Sequence, residues 1–162
     1  MTVIDDTDLA ILDLLQQDAS LTNLALAEKV GVSPATCLRR VRQLEEDGFI
    51  ERTVALLSSD KLAPGLTAIV EVTLEPQTAQ VLDAFEQSAR RERAVQQVYR
   101  TASGPDFVLV ATVPDMAAWQ GLLERLMTDE ARVRNVKSFF ATRRAKFEPA
   151  IPLPRAPGGD RT

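Results

Sequence analysis

The stretch Val30-Gly31-Val32-Ser33-Pro34-Ala35-Thr36-Cys37-Leu38-Arg39-Arg40-Val41-Arg42-Gln43-Leu44, residues 30–44, decides how the first third of the chain is read. Ser33 followed by Pro34 is a helix start: the hydroxyl can accept a backbone N–H of the first turn, and proline supplies the φ of the first helical position. Cys37, Val41 and Leu44 recur at i, i+4 and i+7, one inward stripe, and Gly48 terminates the helix. Upstream, Leu24, Ala27 and Val30 predict the inward face of a shorter helix from about Thr22, closed by Gly31. A third helix spans about Asp5 to Asp18, with Leu9, Leu12 and Leu15 at helical spacing, Ile11 beside them, and acids at the positive end of its dipole. Two short helices joined by a glycine-containing turn, with a supporting helix before them, describe a helix-turn-helix.

The same window carries a charge signal. No acid occurs from Val30 to Leu44, while Arg39, Arg40 and Arg42 fall inside it. At about 100° per residue, Ala35, Thr36, Arg39, Arg42 and Gln43 project away from the inward stripe, with Arg40 on the flank. Arginine can bond guanine through two hydrogen bonds, and threonine can reach base edges or a thymine methyl. The candidate DNA-contacting set is Ser33, Ala35, Thr36, Arg39, Arg40, Arg42 and Gln43. Arg40, on the flank, also suits a structural ion pair. Cys37 reads either as a redox-sensing thiol near arginines or as a small core residue; its place in the inward stripe favours the core.

Downstream the period changes. Phe49-Ile50 begins an extended stretch through Leu57, and residues 58–65 read as a linker. Residues 66–74 (LTAIVEVTL) predict a strand, Pro76 opens a helix with Val81, Leu82, Phe85 and Ala89 inward, and residues 95–101 give a second strand. Residues 103–105 turn, residues 107–113 (FVLVATV) form a third strand, and Pro114-Asp115 starts a helix with Met116, Trp119, Leu122, Leu123 and Leu126 on or near its buried face. A last strand lies within 133–147. The order βαββαβ is the ferredoxin-like arrangement. The fold class is therefore α+β, an N-terminal winged-type helix-turn-helix followed by a ferredoxin-like domain. The boundaries fall at 1–52 for the helix-turn-helix, 53–65 for hinge strand and linker, 66–147 for the ferredoxin-like domain, and 148–162 for a proline- and glycine-rich tail read as disordered. The third strand is apolar on both faces, yet helices cover only one face of such a sheet. The simplest cover is a second copy of the chain, and a homodimer would also place two recognition helices on two half-sites.

Composition narrows the classes. The 162 residues carry 19 basic and 23 acidic side chains, a net charge of -4, so any nucleic-acid role rests on a local patch rather than on bulk charge. One cysteine excludes an intrachain disulfide, and the absence of histidine argues against zinc and removes the commonest general base. An enzyme built on the second domain is poorly supported, with no Gly-rich phosphate loop and no clustered carboxylate pair, and no metal or cofactor is expected. The acidic N-terminus has no leader pattern and no apolar run approaches the ~20 residues that span a bilayer, which points to the cytoplasm and no membrane partner.

In order along the chain, Ile4-Asp5-x-x-Asp8-x-x-Ile11-Leu12, Leu26-Ala27-x-x-Val30-Gly31-Val32-Ser33-Pro34, Cys37-Leu38-x-Arg40-Val41-x-x-Leu44-Glu45-x-x-Gly48-Phe49-Ile50 and Val113-Pro114-Asp115-Met116 resemble the Lrp/AsnC (leucine-responsive, feast/famine) transcription regulators. The resemblance implies a regulator that binds double-stranded DNA, dimerises through its sheet, assembles into tetramers or octamers, and responds to an amino acid or related metabolite. It places the effector near a glycine-then-aspartate turn between the two central strands, here Gly104, Pro105 and Asp106, with Tyr99 a further candidate. That turn departs from the family pattern, having one residue, a proline without an N–H donor, between glycine and aspartate. A DNA-organising protein of low sequence specificity is the alternative function.

Overall fold

A computed structural model of the chain describes residues 4–62 and 65–154. Pro64 of the expected linker and the tail beyond Pro154 lie outside the described residues. The chain divides into two compact units, one made of residues 1–56 and 146–162 and the other of residues 57–145.

The first unit holds α1 (Asp6–Gln17), α2 (Asn23–Val30) and α3 (Pro34–Glu46). Each begins where a side-chain oxygen accepts an otherwise unpaired N–H: Asp5 from Asp8, Thr22 from Ala25, Ser33 from Thr36. Gly31 ends α2 with φ 72°, a left-handed conformation that costs glycine nothing and lets the chain reverse into α3. Ile11, Leu26, Ala27, Cys37 and Leu44 form the core, with Leu12, Leu15, Val30, Val41 and Ile50 packed around them. The stripe expected on α3 is therefore the buried one. On α2 the inward face is instead Leu26 and Ala27; Leu24 is 58% exposed, because it sits roughly 200° from Leu26 on the helix wheel.

The second unit opens with the short α4 (Ser59–Leu62), in part of the segment expected to be linker. There follow β1 (Leu66–Leu74), α5 (Ala79–Arg91), β2 (Val95–Arg100), β3 (Phe107–Val113), α6 (Met116–Leu126) and β4 (Val133–Phe140). The four strands form one antiparallel sheet in the order β2-β3-β1-β4, the ferredoxin-like topology. Alternate residues Ala68, Val70, Val72, Leu74 and Phe107, Leu109, Ala111, Val113 turn to one face and bury against Phe85 and Ala89 of α5 and Trp119, Leu122 and Leu126 of α6. Each large apolar side chain so buried contributes about 1.5–3 kcal/mol before chain entropy is set against it. The Phe85 and Phe107 rings meet at a tilt of 42° with centroids 5.0 Å apart.

Four expectations need correction. The helix expected from Pro76 starts at Ala79, where the Thr78 hydroxyl accepts the Val81 N–H and caps it. Met116 is 48% exposed, since the first turn of α6 runs past the edge of the core. The hinge strand expected within residues 53–65 is not seen: residues 51–58 carry no strand, and no backbone among the described residues pairs with them in a ladder. The tail is not loose over its described part: residues 146–154 belong to the helix-turn-helix unit, and the Gln16 side chain holds the Ile151 backbone.

Candidate nucleic-acid interface and effector turn

The exposed arc of α3 carries Ala35, Leu38, Arg39, Arg42 and Gln43. Arg39 and Arg42 make no ion pair or hydrogen bond among the described residues, so both guanidinium groups are available to an external acceptor. Gln43 Nε2 donates to Asp47 Oδ2 at 3.0 Å, which steadies its side chain at the far end of the arc. Ser33 and Thr36 sit at the start of the helix. Ser33 Oγ accepts the Thr36 N–H at 3.2 Å and donates to Thr36 Oγ1 at 2.9 Å, which leaves Thr36 its own hydroxyl proton. In the first turn Pro34 has no N–H and Ser33 accepts those of Thr36 and Cys37, which leaves the Ala35 N–H at the positive end of the helix dipole, where a phosphate is stabilised.

Arg40 does not join that arc. Its Nη1 lies 2.8 Å from Asp5 Oδ2 and 2.7 Å from Asp8 Oδ1, so it clamps α3 onto the capping box of α1. The two carboxylates raise the Arg40 pKa further above its ordinary value, through the hydrogen bond to Asp8 first and that to Asp5 next. Asp5 is held below the usual carboxylate value mainly by the Asp8 N–H it accepts, with Arg40 adding to the effect. The expected DNA contact at Arg40 is thus corrected to a structural ion pair, the role its flank position also allowed. Leu38 is the residue sequence reasoning passed over. It is 41% exposed, and its position about 40° beyond Arg42 on the wheel was the signal. Cys37 is fully buried and burial pushes its thiol pKa up, which suits a core residue and opposes a reactive thiolate.

In the second unit the turn between β2 and β3 is held by hydrogen bonds. Gly104 takes φ 85°, and no atom lies within 4 Å of where its Cβ would be, so the backbone there faces open space. The Thr101 hydroxyl donates to the Pro105 carbonyl. Asp106 is the anchor: its N–H donates to Val72 O at 2.9 Å, and its Oδ2 accepts the Leu74 N–H at 2.7 Å. One carboxylate oxygen is therefore engaged in holding the end of β1, and Oδ1 remains for another partner. Tyr99 does not converge on this turn in the same way. It pairs with Val108 on the sheet face that the helices leave uncovered, is 54% exposed, and donates from its hydroxyl to Gln97 Oε1 at 3.1 Å. Ile69, Val108, Val110 and Phe139 lie on that same face, Ile69 registered between Val110 and Phe139.

Residues 4–51 match the winged helix-turn-helix DNA-binding family, and residues 67–151 match the Lrp/AsnC ligand binding domain. The chain belongs to the Lrp/AsnC family. Among its relatives are the glutamate uptake regulatory protein of Zymomonas mobilis, 34% identical over 93% of this chain and 92% of that one, and the leucine-responsive regulatory protein of Escherichia coli, 32% identical over 88% and 87%. Its fold matches an AsnC family transcriptional regulator from Agrobacterium tumefaciens with a TM-score of 0.84 at 34% identity, covering 93% of this chain and 97% of that one. A transcriptional regulator from Neisseria meningitidis in complex with L-Met matches at 0.83 and 31%, over the same shares. This Lrp/AsnC protein is accordingly a DNA-binding transcriptional regulator with a ligand-binding domain, and no helix among its described residues is long and apolar enough to cross a membrane.

Proposed function

We propose that the protein binds operator DNA as a symmetric oligomer through the exposed arc of α3 and changes that binding when an amino acid occupies the turn at Gly104–Asp106. The observation that carries the first half is the pair Arg39 and Arg42, which have no ion-pair or hydrogen-bond partner among the described residues and lie in a stretch, residues 30–44, that contains no acid. In the major groove such side chains read guanine or bind phosphate, and the small Ala35, the Thr36 hydroxyl and Leu38 suit close approach to base edges and methyl groups. The oligomer is supported by the uncovered apolar sheet face around Ile69, Val110 and Phe139, which a two-fold copy would bury. The effector reading is supported by the free oxygen of Asp106, able to accept a charge-assisted bond from an α-ammonium group, and by the relative that binds L-Met. A cytoplasmic setting agrees with these roles.

The test is fluorescence anisotropy of the full-length protein on the DNA upstream of its own gene against a scrambled duplex. A salt series and titrations with and without the twenty amino acids complete it. Tight binding to the upstream DNA alone, shifted by one of the amino acids, is the expected result. Equal binding to both duplexes with a steep salt slope would replace this reading with a DNA-organising role.

A further inference from the structure

The start of β4 departs from regular backbone twice, and each departure places an arginine. Arg132 is the one residue other than glycine, among those described, with a positive φ, 54°. A side chain costs energy in that left-handed region where glycine costs none, so such a residue persists only where its surroundings hold it. Here the hold is the Arg132 carbonyl, which accepts the Glu75 N–H at 2.9 Å. Two residues on, Thr73 pairs with Asn135 and Leu74 with Val133, so Arg134 is an extra residue in β4 with no partner on β1, a bulge. Val133 and Val136 both pack on the core across that bulge, which leaves Arg134 out of it. Both arginines line one open hollow of about 370 Å³, with Thr128 and Glu75 on its wall.

The charge of that hollow is not balanced from within. Arg132 makes no side-chain hydrogen bond or ion pair among the described residues. Arg134 meets Glu75 only through Nε, 3.5 Å from Oε2, which is long for a charge-assisted bond, and both side chains are well exposed. Such a pair holds little. Two guanidinium groups against one carboxylate favour an anion, and the planar fork of arginine fits a carboxylate through two parallel bonds. The end of β1 ties the hollow to Asp106. Asp106 Oδ2 accepts the Leu74 N–H on the β3 side of that strand, and the Arg132 carbonyl accepts the Glu75 N–H on its β4 side. The two residues therefore flank one strand, roughly 10 Å apart at two strand spacings. The α-ammonium and α-carboxylate of an amino acid share one carbon and fall short of that span, whereas a second carboxylate on the side chain adds reach. We propose that Arg132 and Arg134 bind a side-chain carboxylate of the effector whose α-ammonium group meets Asp106, which makes the effector an acidic amino acid, glutamate or aspartate. The inference rests on the reading of Asp106 as the ammonium site.

The test is isothermal titration calorimetry on the full-length protein. L-glutamate and L-aspartate are compared with L-glutamine and L-asparagine, which keep the shape and drop the charge, with L-methionine, and with succinate, which lacks the ammonium group. The expected result is that one acidic amino acid binds at least about tenfold more tightly than its amide and than methionine. Arg132→Gly and Arg134→Gln should each bring that preference down to within about twofold. Arg132→Gly also removes the strained side chain, so its melting temperature should be no lower than that of the unaltered chain, which separates a lost preference from a folding defect. If Arg132→Gly melts lower, Arg134→Gln decides. Equal affinity for acid and amide in the unaltered chain overturns the proposal, as does a preference that survives both substitutions. Succinate binding as tightly as glutamate overturns it too, since the arginines would then act without Asp106. The two readings fail separately: a neutral amino acid that binds the unaltered chain as well as the acids do, and does not bind Asp106→Asn, keeps the ammonium site and removes the arginines' role. No binding of any amino acid removes both.

Discussion

At the scale of single residues, three arginines within four positions of α3 do different things because the helix wheel separates them. Arg39 faces out without a partner among the described residues, and Arg39→Ala should cost about 1–3 kcal/mol on the operator and relax the preference at one base pair. Anisotropy on duplexes substituted one base pair at a time measures this; a uniform loss with a shallower salt slope would make Arg39 a phosphate contact. Arg40 faces α1, so Arg40→Met should act through folding. It strands Asp8, whose side chain is largely covered, and should lower the stability of the helix-turn-helix unit by about 1–3 kcal/mol. A thermal melt then shifts, and binding to all duplexes falls together. The same clamp gives a pH dependence. Asp5 has a folded-state pKa below its ordinary value, so its contribution is present above about pH 4 and is lost as pH falls through the lower, folded value. Melts taken from pH 5 to pH 2 should show that loss, and Asp5→Asn should flatten it.

At the scale of elements, the bond from Asp106 to the end of β1 and the effector contact proposed for the same carboxylate can be separated by one substitution pattern. Asp106→Asn keeps an oxygen to accept the Leu74 N–H but gives up the charge. It should therefore melt within about 0.5 kcal/mol of the unaltered protein while losing the response to an amino acid. Asp106→Ala removes both and should also loosen the end of β1. A response that survives in the asparagine variant would move the effector away from this turn. Elements defined by local chemistry were the legible ones: Ser33-Pro34 fixed the start of α3, and the apolar, β-branched run of residues 107–113 matched the bounds of β3. Illegible were features decided by a competing local bond or a distant one. Pro76 resembles a first helical position, but the Thr78 hydroxyl captures the cap two residues on. A tail rich in proline has no periodicity, and a clasp made by one amide 135 residues away leaves no mark on composition. Of the candidate site, the outward arc of α3 was readable from the wheel alone. The partner of Arg40 was readable only as a flank position, and Asp106's bond to Leu74 required the register of β1 against β3.

At the scale of the whole molecule, the sheet's uncovered face and the routing of the chain carry the remaining consequences. Ile69 stands between Val110 and Phe139 on that face, exposed in the single chain, so Ile69→Glu should cost the isolated fold little. A charge there opposes burial against a second copy, and sedimentation velocity should report a lighter species, with operator affinity falling as the second half-site contact is lost. An unchanged sedimentation coefficient would place the oligomer contact elsewhere. The routing bears on how such a protein can be rebuilt. Because one unit is assembled from segments on both sides of the other, residues 57–145 are in effect an insertion within the DNA-binding unit rather than a module appended to it. A chimera that grafts a foreign sensor should therefore splice at two points, after Leu56 and before Lys146, and keep the native segment that follows; a single-junction fusion would discard part of the DNA reader along with the old sensor.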